Sequence, residues 1–190
     1  MSVTFEERLN QILPRITSPD FLSNKGLGNE IGFWIFDYPP DRELDLRAFV
    51  SGVVLPALDK ASIAATEINL FDLIIGLLDE RKLLDPAIAM QAAKGDDAAM
   101  APLRAVLKED KLAQRIATMV DLETVQLLVL TGVGAAYPML RTHTLLSALH
   151  SVMKATPLLM FYPGRYDGFS LRLFNTLADD HYYRAFRLVD

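Results

Sequence analysis

Cysteine is absent from this 190-residue chain, which excludes a disulfide framework and any thiolate metal site. Histidine is scarce, with three copies and neither an HxH nor an HExxH spacing, so a metal centre has little to draw on. Nor is there a basic excess. Acidic residues outnumber basic ones 24 to 19, a net charge of −5, the wrong sign for a surface that grips nucleic-acid backbone. No apolar run approaches the roughly 18 residues of a membrane span, although 51% of the residues are hydrophobic and the mean hydropathy is +0.21. The opening "MSVTFEERLNQIL" is charged and amphipathic, without the basic n-region and apolar block of a secretory signal. The expectation is a cytoplasmic protein forming one domain over residues 1–190, with a sizeable core.

Helix and strand signals alternate along the chain. Thr4 and Glu7 have capping-box spacing, and Phe5, Leu9, Ile12, Leu13 and Ile16 follow at helical intervals, with Pro14 expected to kink or shorten that helix. "SPDFLSNKGLGNE" reads as a loop. "GFWIFDY" is apolar on both faces and predicts a covered central strand. Asp41 is placed to cap a helix carrying Leu44, Phe49, Val53 and Leu58. "SIAATEINLF" predicts a second strand, with Asn69 capping the next helix and Asp72 in its first turn. Asp85-Pro86 opens a short helix that Gly95 ends, and residues 96–119 add a further helical stretch broken or started by Pro102. Residues of about 70–120 thus predict a helical insertion. "TVQLLVLTG" is a third strand, Pro138 starts the next helix, "TPLLMFYPG" is a strand ending in a Pro-Gly turn, and "YYRAFRLV" suits an edge strand. The order predicts a three-layer α/β fold around a mostly parallel, Rossmann-like sheet.

The segment "TGVGAAYP" has the form of a phosphate-binding loop between strand and helix. It lacks the lysine and the hydroxyl residue of a Walker A loop, and Tyr137 stands where a dinucleotide fingerprint needs a small residue. What remains is Gly132 and Gly134, whose amides could cradle an anion, or simply the tight turn an αβ unit requires. "FWIFD" imitates a Walker B strand, but Asp37 reads more simply as the polar end of that strand. Arg141 and His143, two residues apart on a helix, do not share a face, and His143 and His150 are too far apart for joint metal ligation. His181 sits in "DDHYY". No nucleophile elbow or triad spacing is present, so no catalytic residue, metal or cofactor is assigned.

Charge is unevenly spread. Residues 1–120 hold 18 acidic and 13 basic residues, and residues 121–190 six of each. Five of the last six bases are Arg141, Arg165, Arg172, Arg184 and Arg187, either scattered or gathered on one anion-seeking surface. "YPGRYDGFSLRLF" places Arg165, Tyr166 and Asp167 near a strand's carboxyl end, where α/β sheets bind ligands. The same residue types make protein–protein hot spots.

Five blocks, "GLGNEIGFWIFDYPP", "EINLFDLI", "LLTGVGAAYPMLRTHTLL", "FYPGRYDGFSLRLF" and "YYRAFRLV", together resemble the BrxB family, a small component of bacterial BREX phage-defence systems. The resemblance runs from about Leu22 to the end and is least distinctive near residues 85–120. It implies a non-catalytic accessory or bridging subunit, encoded beside a large ATPase, an adenine methyltransferase and PglZ, a member of the alkaline-phosphatase superfamily. PglZ is the direct partner it points to first. The positions Gly132, Gly134, Tyr137, Arg141, His143, Gly164, Tyr166 and Asp167 are carried as candidates for a shared partner- or ligand-binding surface, joined by Tyr162 and Arg165. The alternative is a nucleotide- or anion-binding regulatory module on a degenerate Rossmann-like fold. Direct binding of nucleic acid is not expected.

Overall fold

Thr4 begins the first helix as its spacing predicts. Its hydroxyl accepts from the Glu7 amide at 3.2 Å, and the Glu7 carboxylate accepts from the Thr4 amide at 2.8 Å. The computed structural model describes residues 3–24, 32–153, 155–179 and 185–190. Helices α1 (Phe5–Ile16) and α2 (Pro19–Leu22) lead into strand β1 (Phe33–Tyr38). Pro14 lies in the last turn of α1, which still reaches Ile16. A 3-10 turn (Pro40–Arg42), α3 (Glu43–Phe49), a π-helical stretch (Val50–Val54) and α4 (Leu55–Lys60) then carry the chain to β2 (Ala65–Asn69). Asn69 caps α5 (Leu70–Glu80), its side-chain oxygen accepting from the amides of Phe71 and Asp72 at 3.0 and 3.3 Å. Helices α6 (Leu84–Lys94), α7 (Asp96–Leu103) and α8 (Glu109–Met119) complete the connection to β3 (Leu127–Thr131). Then come α9 (Val133–Ala136), α10 (Thr142–Val152), β4 (Leu158–Tyr166), β5 (Leu171–Leu173), β6 (Leu177–Asp179) and β7 (Phe186–Arg187).

The sheet order is β2-β3-β4-β1-β7, and these four neighbouring pairs are all parallel. Strand β5 adds antiparallel to the outer end of β4, and β6 antiparallel to β5. The fold is therefore mixed α/β, with an antiparallel extension that the sequence reading did not separate from a turn. The strand order also differs from both common doubly wound orders. Side chains alternate between two apolar clusters. Phe33, Ile35, Leu128, Leu130, Leu158 and Met160 pack with α5 and α7–α10. Trp34, Phe36, Leu127, Val129, Leu159 and Phe161 pack with α1–α4. That alternation is the period-2 geometry of a sheet covered on both faces, and it gives three layers.

Several local expectations shift. Asp41 lies in the 3-10 turn, and α3 begins without a side-chain cap. The buried residues from α3 to α4 are Leu46, Val50, Val54 and Leu58, while Leu44 and Val53 are exposed. Residues four apart drift around an ordinary α-helix. The wider π turn between α3 and α4 offsets that drift and keeps the stripe on the sheet. Leu83 stands at the N-cap of α6 without a side-chain cap bond, and Asp85 lies inside its first turn. Gly95 does end that helix, at φ 83°. Strand β4 does not stop at Pro163-Gly164; it continues to Tyr166. Of "YYRAFRLV", residues 182–184 lie outside the described residues, and Phe186–Arg187 pair with β1 at the sheet's margin.

Asp37, next to last in β1, is 6% exposed and fully engaged. Its Oδ1 accepts from Arg8 Nη2 of α1 at 2.6 Å, and its Oδ2 accepts from the Tyr166 amide of β4 at 2.9 Å. Arg187 Nη2 of β7 stands 3.6 Å from Oδ2. Arg8 also donates to the Asp37 carbonyl at 2.7 Å, and its guanidinium lies 4.8 Å from the centre of the Phe36 ring. A buried carboxylate is tolerated only when paired and hydrogen-bonded; removing one partner of such a pair leaves an uncompensated charge. Asp37→Ala is expected to lower unfolding stability by about 3–5 kcal/mol, read from urea denaturation. A loss below about 1 kcal/mol would show the cluster to be solvated rather than structural.

Candidate functional site: a corner at the carboxyl end of the sheet

Register places Tyr38 beside Pro163 and Asn69 beside Thr131, so β1 ends against β4 and β2 against β3 on one side of the sheet, while β4 runs on past that line. That is the side on which α/β sheets take ligands. The glycine loop lies here, and neighbouring side chains fill it. Gly132 holds φ 71° between β3 and α9, and a Cβ there would meet Asn69 Oδ1 at 2.1 Å. Gly134 lies beneath the ring of Phe174 and the ring of Pro163. The side chain that caps α5 thus packs directly against Gly132. α9 itself is only four residues long.

Tyr137 ends α9 in an extended conformation (ψ 139°), as the residue before a proline must. The Tyr137–Pro138 peptide is cis. Pro138 does not open the next helix; α10 starts four residues later, at Thr142. This delay brings together residues that a single helix would separate. Arg141 is the N-cap, outside the helical spiral, and His143 lies in the first turn. Both line one cleft of ≈ 550 Å³ with Tyr137, Tyr162 and, from β5 and β6, Leu173 and Leu177. Four of the ten candidate positions thus meet in one place.

The far wall of the cleft is the β4–β5–β6 extension. Strand parity sends Arg165 outward and Tyr166 inward. The Tyr166 hydroxyl lies 2.6 Å from the Ala185 carbonyl and 3.1 Å from that of Gly168, and the side chain is completely buried. Tyr166, carried as a candidate for the shared surface, instead pins the extension from inside. Gly132, Tyr162 and Gly164 are buried as well. Gly164 (φ 154°) allows the Arg172 carbonyl to approach, to 2.1 Å from where a Cβ would stand. Asp167 is exposed, but its carboxylate belongs to the turn. It accepts from the Ser170 amide at 2.7 Å, the Phe169 amide at 2.9 Å and the Ser170 hydroxyl at 3.0 Å.

Comparison with known proteins agrees with this chain's own pattern. The family described as "BREX protein BrxB" matches residues 66–188. A BREX protein BrxB from Escherichia coli O9:H4 (strain HS) is 45% identical over 184 residues, covering 97% of this chain and 91% of the relative. Another, from Bacillus cereus (strain H3081.97), is 41% identical over 188 residues, covering 97% of each. The chain belongs to the BrxB family. No solved structure gives a significant match. Family membership makes it a BREX component, and so a subunit of a phage-defence system.

Within this BrxB-family chain the remaining candidates separate cleanly. His150 is half-buried and stacks on Phe33 at 4.1 Å; His181 lies outside the described residues. Among the described residues no group of three or more His, Asp or Glu side chains is placed to hold a metal, and no helix is long and apolar enough to cross a membrane. Sequence reasoning missed Phe169, Phe174 and Leu177, which are 70%, 36% and 39% exposed at this corner. The Asp-Gly pair in "RYDGF" was the available signal, being a hairpin dipeptide that turns a following apolar run back along its strand. A second, smaller hollow of ≈ 190 Å³ at the same end of the sheet was missed too. In it the Thr131 hydroxyl donates to Glu67 at 2.7 Å, and Glu43 accepts from both Tyr38 and Arg47.

Hydrogen bonds from the Ser170 and Phe169 amides hold the Asp167 carboxyl well below the usual carboxylate range, at about 2. A depressed folded-state value means that the turn gains from the ionised form above the ordinary value near 3.8 and loses that gain as pH falls through about 2. Carboxyl-detected NMR titration is expected to give a midpoint near 2 for Asp167. A midpoint at the ordinary value would mean that the turn's hydrogen bonds do not form in solution.

Proposed function

We propose that this chain is a non-catalytic bridging subunit of a BREX assembly that docks the PglZ component through the corner formed by Tyr137 and the β4–β5–β6 extension. The supporting observation is where its apolar surface lies. Of the nine large hydrophobic side chains exposed among the described residues, Tyr137, Phe174 and Leu177 share this corner, and Phe169 stands on the turn between β4 and β5. Tyr137 and Phe174 meet edge to face at 6.3 Å, and Arg165 projects from the adjoining strand. Aromatic residues and arginine at the centre of a patch are the composition of an interface hot spot.

Size-exclusion chromatography with light scattering, on this protein mixed with its co-encoded PglZ, is expected to show co-elution at a defined stoichiometry. Tyr137→Ala and Phe169→Ala are each expected to weaken that complex about tenfold or more while leaving thermal unfolding nearly unchanged. Separate elution of the wild-type proteins at micromolar concentration would remove PglZ as the direct partner. The anion-binding alternative draws on Arg141 at the cleft, with Asn69 packed against Gly132. Calorimetric titration with ATP, GTP and AMP in magnesium is expected to give no heat at millimolar ligand, and a saturable response would restore that reading.

A further inference from the structure

The antiparallel register of the extension sets Arg165 of β4 directly opposite Arg172 of β5, with Ala178 of β6 next in the row. All three residues are exposed. Side chains directly opposite on an antiparallel pair share one face and stand within reach of each other, and like charges so placed oppose folding. Among the described residues neither arginine makes an ion pair. Asp167, two residues from Arg165, has its carboxylate held in the turn by Ser170 and Phe169. Two guanidinium groups thus stand side by side on a short hairpin of an otherwise acidic protein, with no counter-ion among the described residues.

We infer that the Arg165–Arg172 pair is the receptor for an acidic segment of a partner protein, with two carboxylates of that segment taking the two guanidinium groups. The inference rests on the bridging role proposed above and adds to it the chemistry of what is bound. Planar guanidinium donors match carboxylates in a paired, two-bond geometry, and two of them on neighbouring strands fit two acids on one face of a bound helix or strand. Small Ala178 leaves the row open on the β6 side. Charge decides between protein and nucleic acid. Two arginines on a chain of net charge −5 give a duplex few phosphates to neutralise against a repelling remainder. Exposed Phe169 on the adjoining turn supplies an apolar contact of a protein interface instead.

The test uses the purified full-length chain against each co-encoded BREX subunit, with affinity measured by biolayer interferometry at several salt concentrations. Arg165→Glu combined with Arg172→Glu is expected to weaken the complex at least tenfold and to abolish its salt dependence, while Arg165→Lys with Arg172→Lys retains most of the binding. A single Arg165→Glu variant separates docking from folding. It places opposite charges across the strands and is expected to raise the thermal midpoint by about 1–3 °C while still weakening the partner. Wild-type binding that the double reversal leaves intact would overturn this inference and leave the bridging role standing. Absence of binding to every subunit would remove the bridging role and the inference with it. Loss of self-association or of duplex DNA binding in the double reversal, with subunit binding unchanged, would assign the pair to a different occupant and overturn the inference equally.

Discussion

A carboxylate in the interior has to be paired, and Asp37 is paired by segments that come from nearly the whole length of the chain. Arg8 reaches it from the first helix, the Tyr166 amide from β4 and Arg187 from β7. Arg8 also donates to the Val189 carbonyl at 3.4 Å. The apolar clusters on either face hold the layers together, but many registers of β4 against β1 would bury similar amounts of leucine and phenylalanine. Only a register near the observed one brings the Tyr166 amide to Asp37. The extension, the terminal segment and the first helix are thus located relative to the sheet by one charge whose desolvation cost only their joint arrival offsets.

The parts of this fold that were legible in the sequence are those governed by local chemistry. Thr4 with Glu7, Asn69 with its two amides, and Gly95 at φ 83° act over three or four residues. The continuous apolar runs of β1, β3 and β4 can only be covered strands. What was not legible depends on distant partners. Pro163-Gly164 has turn composition, yet β1 pairs with Pro163 and β5 closes over Gly164, so the strand runs on. Pro138 is acceptable at a helix start in isolation, but its effect on Tyr137 decides where α9 stops.

The candidate site divides in the same way. Composition marked two stretches that do meet, since Tyr137, Arg141 and His143 face β5 and β6 across one cleft. Composition says nothing of strand parity, which sent Arg165 to solvent and Tyr166 to the interior. The strand–glycine–helix passage looks like a nucleotide loop because any parallel strand must hand the chain to a covering helix through a tight bend. In this BrxB-family chain the cap of the preceding helix, Asn69, packs against that bend.

Strand β4 has no joint between its buried start at Leu158 and its end at Tyr166, and it belongs to both the parallel sheet and the antiparallel extension. The corner is therefore the free end of a beam clamped in the middle of the molecule rather than a loop tethered at its ends. A ligand that seats there has little chain left to order, so more of its contact energy survives as affinity. A pull on the corner is carried straight down the strand to the Asp37 clamp.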